Sequence, residues 1–335
     1  MQGALSTQNQ LIVDHTTIES QAAIDAVHFS TRIEGNALTR DQVTEALFQK
    51  KLKSKSSRDL KEVLNYSRTR QLIRNWSLKN RPFNDDWVLR HHSDLLKGIV
   101  KGKLRGHYRE AQCVISDSRS RSIVYMAPEW KEVPVLVHGL LGWLRQQLKA
   151  GASPLLVAAQ FHFAFVTIHP FMDGNGRLAR LLTNGILLAN GYDIEKYAAL
   201  EKQHEKDRAA YYRALRALQA GNYYEIPPGQ DIQTWAFYWL KCLLETYKEA
   251  VSRVEKTATT TAFADDPRLK QAESLFKKHQ RLRASDYASL AGLGRTQAVA
   301  DLNALLDAGI IVRIGGGRST VYQLADRIST AQSKR

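Results

Sequence analysis

Apolar residues recur at helical spacing over most of this chain, and the pattern predicts helices at about 16–48, 59–76, 85–99, 130–148, 154–168, 175–189, 195–219 and 232–255. The first stretch divides at Gly35-Asn36, a good helix terminator. Thr39-Arg40-Asp41-Gln42 follows, a threonine with a glutamine three residues on, and opens a second helix. Ile18, Ala22, Val27 and Phe29 approximate one apolar face, and Trp235, Trp239 and Leu243 share another by four-residue spacing. Residues 102–128 break the pattern. Short β-prone runs at 113–115 and 123–126, separated by the turn-forming 116–122, predict a hairpin inside a helical protein. The basic run KKLKSKSSR at 50–58 reads as a solvated connection.

The stretch TATTTAFADD at 257–266 carries no periodicity and precedes Pro267, so it reads as a linker. Beyond it come three helical patterns at 268–278, 284–291 and 295–308. Two β-prone runs, 310–314 and 320–324, then flank Gly315-Gly316-Gly317-Arg318, and the whole resembles a winged helix-turn-helix. The fold class is mainly α, a helical core with a small hairpin and a winged-helix module.

Composition adds a partner class and a compartment. A formal net charge of +15 and a pI near 9.7 suit nucleotides or nucleic acid. Cys113 and Cys242 stand far apart with no metal-ligand spacing, which argues against a disulfide framework or zinc site. The polar 1–10 segment lacks the pattern of a signal peptide, and the apolar 155–168 run is too short to span a bilayer. A cytoplasmic protein without a membrane partner is expected; oligomeric state stays open.

Between two apolar helices lies HPFMDGNGRLAR, residues 169–180, with more chemistry than a connection requires. Gly174 and Gly176 allow unusual backbone angles and close approach of a ligand to main-chain N–H groups at a helix start, where the dipole favours anions. Arg177 and Arg180 lie three apart and project to one side, completing a polyphosphate cradle. Asp173 suits Mg²⁺, and His169 titrates near neutrality and can take a proton from a hydroxyl. The residues formally match a GxGxxA turn, but a dinucleotide fold needs a preceding strand there. A calcium loop would need glutamate where Asn184 stands, and there is no Walker motif.

HPFMDGNGRLAR resembles the HPFx[DE]GNGRxxR signature of Fic-domain proteins at every fixed position. Leu104-Arg105, Tyr108-Arg109-Glu110 and Val114-Ile115 resemble the approach to that family's target-docking flap, which here would end at Tyr125-Met126-Ala127-Pro128. Tyr211-Tyr212-Arg213-Ala214-Leu215 resembles the tyrosine pair closing the nucleotide pocket. The resemblance implies protein adenylylation: AMP passes from ATP to a Ser, Thr or Tyr hydroxyl of a target, or of the chain itself. It implies His169 as base, Asp173 as Mg²⁺ ligand, and Asn175 with the loop amides of Gly174 and Gly176 on the α-phosphate. Arg177 and Arg180 would hold the outer phosphates. Ser122, Ile123, Val124 and Tyr125 would align the target, and Tyr211, Tyr212 and Gln219 would line the nucleoside pocket. Glycine at 176, where kinase-like relatives carry lysine, favours AMP transfer.

Ser30-Thr31-Arg32-Ile33-Glu34-Gly35-Asn36 resembles the family's inhibitory [ST]xxxE[GN] motif in its N-terminal position. That implies Glu34 pairing with Arg180 in the γ-phosphate's place, aimed by Ser30. In the winged helix, Arg295-Thr296-Gln297, Arg313 and Arg318 are placed to meet DNA, so the rival expectations are a DNA-binding regulator with a secondary or sensory Fic domain, or a Fic enzyme using another donor. The expected organisation is a helical N-terminal region at 1–96, a Fic core at 97–256, a linker at 257–266, a winged helix at 267–326 and a tail at 327–335.

Overall fold

A left-handed glycine ends the first helix where the sequence places a stop. In the computed structural model, which describes residues 2–48, 57–79, 81–116, 123–219, 221–227, 229–307, 310–315 and 320–324, α1 (Gln2–Ile33) closes through Asn36 N–H donating to the Thr31 carbonyl at 3.1 Å. Gly35 sits at φ 93°, the conformation a helix terminator needs. Thr39 and Gln42 then cap one another, N–H to side-chain oxygen at 3.0 and 3.3 Å, and α2 (Arg40–Phe48) begins.

The chain forms two compact units, Glu19–Ala250 and Met1–Ile18 with Val251–Arg335. The first contains α3 (Ser57–Leu78), α4 (Asp85–Leu95), the hairpin strands β1 (Val114–Ser116) and β2 (Ile123–Met126), α5 (Val133–Lys149), α6 (Pro154–Ile168), α7 (Asn175–Ala189), α8 (Leu200–Lys206), α9 (Arg208–Arg216) and the start of α10 (Gln233–Asp265). Helix α7 is its axis, enclosed by α3, α4 and α6. Gly185 lets α3 approach closely: a Cβ there would stand 2.6 Å from Ile73 Cγ2. Trp87, Phe161, Phe165, Trp235 and Trp239 fill the core, and Trp235 Nε1 donates to the Ala159 carbonyl at 2.7 Å. The expected boundary at 96/97 falls inside this unit, because α3 and α4 pack on α7.

The hairpin is antiparallel, with Val114 opposite Met126 and Ile115 opposite Tyr125. Two expectations need correction. The single helix at 195–219 is divided: Asp207 leaves helical geometry (φ −134°, ψ 70°) and accepts from Ala210 N–H at 2.9 Å, capping α9. A short acidic side chain that bonds its own downstream backbone competes with helix continuation. The linker at 257–266 is helical up to Asp265 as the end of α10. Threonine is only a few tenths of a kcal/mol poorer than a good helix former, and no Gly or Pro interrupts the ladder before Pro267.

In the second unit, α11 (Pro267–His279) is capped by Asp266 and followed by β3 (Arg281–Leu282), α12 (Ala284–Ala291), α13 (Arg295–Asp307), β4 (Ile311–Ile314) and β5 (Val321–Leu324). The three strands are antiparallel in the order β3-β5-β4, over a core of Phe276, Tyr287, Leu302, Leu305 and Ile311. This is the expected winged helix-turn-helix; Arg318 lies outside the described residues. Among the described residues no helix is long and apolar enough to cross a membrane.

Candidate active site

Helix α6 is apolar almost all round, so it is buried and its end is fixed. It stops at His169, whose φ of 51° and ψ of 60° are left-handed, a strained choice for a residue other than glycine. Pro170 cannot continue the helix. Gly174, at φ 84°, caps α7, which starts at Asn175. Six residues, His169 to Gly174, therefore turn the chain between two buried helices. Asn175 holds that turn closed: its Oδ1 accepts from Phe171 N–H at 2.9 Å and its Nδ2 donates to the Phe171 carbonyl at 2.8 Å. The Asn175 side chain is thus committed to the loop's own backbone.

His169 is half-buried, and its Nδ1 lies 3.2 Å from the Val166 carbonyl. With Nδ1–H donating there, Nε2 keeps its lone pair. Burial pushes this imidazole below its ordinary value, Arg109 acts in the same direction, and the Val166 carbonyl and Glu34 oppose them. A neutral imidazole near pH 7 follows.

Arg180 is 3% exposed and is held from the end of α1. Its Nε donates to Ser30 Oγ at 2.8 Å, and its Nη2 donates to the Ser30 carbonyl at 2.9 Å and to Glu34 Oε1 at 2.8 Å. Burial works against the guanidinium's charge, but Glu34 outweighs it and holds Arg180 above its ordinary value. Glu34 lies against Gly176, which has helical geometry. The glycine serves close approach, here of Glu34's carboxylate; of the loop's two glycines only Gly174 is left-handed.

Arg177 points elsewhere. Its Nη2 donates to Asp173 Oδ1 at 2.7 Å, and its Nη1 lies 3.3 Å from Glu62 Oε1 on α3. Arg58 bonds Glu62 and Asp173 Oδ2, both at 3.1 Å. The basic run that reads as a solvated connection therefore ends on a site residue; its members at 50–56 lie outside the described residues. Magnesium commonly takes one protein carboxylate, phosphate oxygens and water. Asp173, with its side chain 32% exposed, is a carboxylate of that kind, its Oδ2 paired here with Arg58, itself 59% exposed, and its Oδ1 with Arg177. Among the described residues no cluster of three or more His, Cys, Asp or Glu offers an all-protein metal cage.

A cavity of about 970 Å³ brings together Glu34, His169, Gly176, Tyr211, Tyr212 and Gln219, with Val124 and Tyr125 of the hairpin across from them. Ile123 is exposed on the hairpin, and Ser122 lies outside the described residues. The hairpin and the Gln219 segment are both tied to the end of α6: Tyr125 Oη donates to the Thr167 carbonyl at 2.8 Å, and Gln219 Nε2 donates to Thr167 Oγ1 at 3.2 Å. Tyr211 is fully buried with its hydroxyl 3.0 Å from His162 Nε2, whereas Tyr212 is half-buried. Sequence reasoning missed Arg208 and Arg216 on the same wall, although they flank Tyr212 at four-residue spacing on one helix face. Asp173, Asn175, Arg177 and Arg180 lie beside this cavity in the loop and helix that close it.

Residues 82–187 match the Fic/DOC family, and residues 274–325 match the transcriptional regulator DIP2311-like, C-terminal domain. The chain is 30% identical over 227 residues to a protein adenylyltransferase Fic of Culex quinquefasciatus, covering 65% of this chain and 41% of that one. Against its counterpart in Nematostella vectensis identity is 29%, over 60% of this chain and 44% of that one. The chain thus spans about two-fifths of the length of the curated relatives it matches. A Fic family protein from Desulfovibrio desulfuricans superposes with a TM-score of 0.60 at 24% identity, covering 98% of this chain and 97% of that one. A Fic domain containing signaling protein from Bacteroides thetaiotaomicron superposes at 0.64 with 22% identity, covering 72% and 90%.

Proposed function

This chain carries a Fic domain, and on that premise we propose that it moves AMP from ATP to a serine, threonine or tyrosine hydroxyl of a target protein, itself included, under restraint by Glu34. The observation that carries the reading is the shared cavity: His169, Gly176, the hairpin and the Tyr211–Tyr212 wall all face one space, and Glu34 stands in it on Arg180. Nε2 of His169 accepts the hydroxyl proton, the hydroxyl oxygen bonds the α-phosphorus, and the bond to the bridging oxygen breaks, releasing pyrophosphate. The N–H groups opening α7 lie where negative charge gathers on the transferred group. Asp173 would hold Mg²⁺, which would supply charge neutralisation on the phosphates when bound.

Restraint follows from charge and space. Arg180 is suited to an outer phosphate, and while Glu34 occupies it, that phosphate meets a carboxylate. Ser30 aims the guanidinium from its other edge. A target segment would add to the hairpin as a strand beyond Met126, whose outward N–H already donates to the Gly221 carbonyl at 3.1 Å. Two free cysteines, Cys113 and Cys242, suit a cytoplasmic setting.

The test uses ATP labelled separately at the α- and γ-phosphates, with Glu34→Gly protein. Retained α-label supports AMP transfer, and γ-label alone would mean a kinase. No gain in α-label over the unaltered chain would sink the restraint.

The C-terminal domain favours a second reading, DNA binding by a regulator, on the strength of its match to a transcriptional regulator domain. On α13, Arg295 and Thr296 are exposed, whereas the Gln297 amide is half-buried and its oxygen accepts from the Arg268 guanidinium within the module. A salt-dependent gel shift with the full chain, weakened by Arg295→Ala and Arg313→Ala, is expected under this reading. No shift at low salt would favour protein docking.

A further inference from the structure

Arg109 reaches the loop of the base and both ends of the hairpin at once. It is 2% exposed, and its guanidinium bonds only main-chain carbonyls: Nε donates to His169 O at 3.0 Å, Nη1 to Ala111 O at 2.9 Å, and Nη2 to Pro128 O. Its own N–H donates to the Pro170 carbonyl at 2.9 Å. Ala111 leads into β1, Pro128 follows β2, and His169 and Pro170 open the loop. Among the described residues no carboxylate pairs with it. Burying a cation without a counter-ion is costly, so electrostatic stability alone does not account for an arginine here. The planar guanidinium does account for it, because its fixed fork serves three carbonyls from three separate segments.

From this geometry we infer that Arg109 is a positioning residue that fixes the hairpin in register with His169, so that a hydroxyl laid along the hairpin meets Nε2. The inference rests on the AMP-transfer reading. The bond to the His169 carbonyl also stabilises the left-handed conformation that turns the imidazole into the cavity. Two charged groups bear on the imidazole, Arg109 from the hairpin side and Glu34 from the end of α1. Once Glu34 is removed, Arg109 still disfavours its protonation, while Arg208, Arg213 and Arg216 line the far wall of the same cavity.

The experiment takes Glu34→Gly protein as reference and follows incorporation of α-label from ATP into the chain itself. Adding Arg109→Met is expected to lower the rate about 100-fold, as misplacement of reacting groups by an ångström does. ATP affinity, measured by equilibrium dialysis, stays the same, and the acid limb of the pH–rate profile moves to higher pH. Arg109→Lys keeps the charge and loses the three-way fork, so its rate falls while the acid limb stays with the reference. If Arg109→Met fails to fold, Arg109→Lys decides alone by the same criteria. A reference-like rate in either variant overturns the inference. So does a loss of ATP affinity in step with the rate, which marks general damage. Absence of α-label in the reference itself would instead bring down the AMP-transfer reading, and this inference with it.

Discussion

Gly176 and Glu34 meet through a side chain that is not there: a Cβ on Gly176 would stand 2.4 Å from Glu34 Oε1 and 3.2 Å from Arg180 Nη1. The restraining carboxylate therefore occupies space that only glycine leaves. Gly176→Ala is expected to push Glu34 off Arg180, because the overlap falls on the far end of a flexible, part-exposed side chain that can turn away. In the unaltered chain this raises α-label incorporation. In the Glu34→Gly background it adds no further rise, because the clashing partner is gone. Equal stimulation in both backgrounds would show that Gly176 acts on something other than Glu34.

His169→Ala is expected to abolish AMP transfer and spare ATP binding. Removing a general base costs on the order of 10²–10⁴ in rate, whereas the α7 start and Arg180 are untouched. Transfer surviving in a Glu34→Gly, His169→Ala protein would take the base role from His169.

Much of this arrangement was legible in residue order because it is local. The stop at Gly35, the mutual caps of Thr39 and Gln42, and the loop of 169–180 each depend on residues within a few positions of one another. The reach of Arg58 to Asp173 across 115 positions has no local signal, and the three carbonyls on Arg109 are main-chain groups with no residue signature. Asn175 was legible as a site residue but not as the clamp of its own loop, since the choice between ligand and backbone depends on how the turn closes. The missed break at Asp207 and the helical 257–265 err in opposite directions. Periodicity carried one helix past a capping aspartate, and its absence ended another that nothing interrupts.

Arg58 competes for the carboxylate that would hold magnesium. Its Nη2 lies 3.1 Å from Asp173 Oδ2, in an exposed pair of the kind worth about 0.2–1 kcal/mol. Arg58→Ala is therefore expected to lower the Mg²⁺ concentration giving half-maximal α-label incorporation by up to about fivefold. A variant that needs more Mg²⁺ than its parent would mean that Arg58 supports the site. Asp173→Asn should abolish the difference between the two.

His204 gives the fold an acid sensitivity with a definite sign. Burial, helped by Arg180, lowers its pKa from 6.5 to about 3; its Nδ1 lies 3.0 Å from Tyr238 Oη, and its Nε2 is buried without a partner. The folded protein thus binds fewer protons at His204 than the unfolded chain between those two values. The stabilisation is complete above pH 6.5 and is lost as pH falls toward the folded value. Glu201, raised to about 7 chiefly by burial, slopes the other way, so the total is a difference of opposing terms. Comparison with His204→Phe isolates the histidine, since phenylalanine retains the packing against Tyr211 and Tyr238. Between pH 6.5 and about 4.5 the parent is expected to lose about 2 kcal/mol more than the variant in urea unfolding. Parallel losses in the two proteins would mean that His204 is already charged in the folded state.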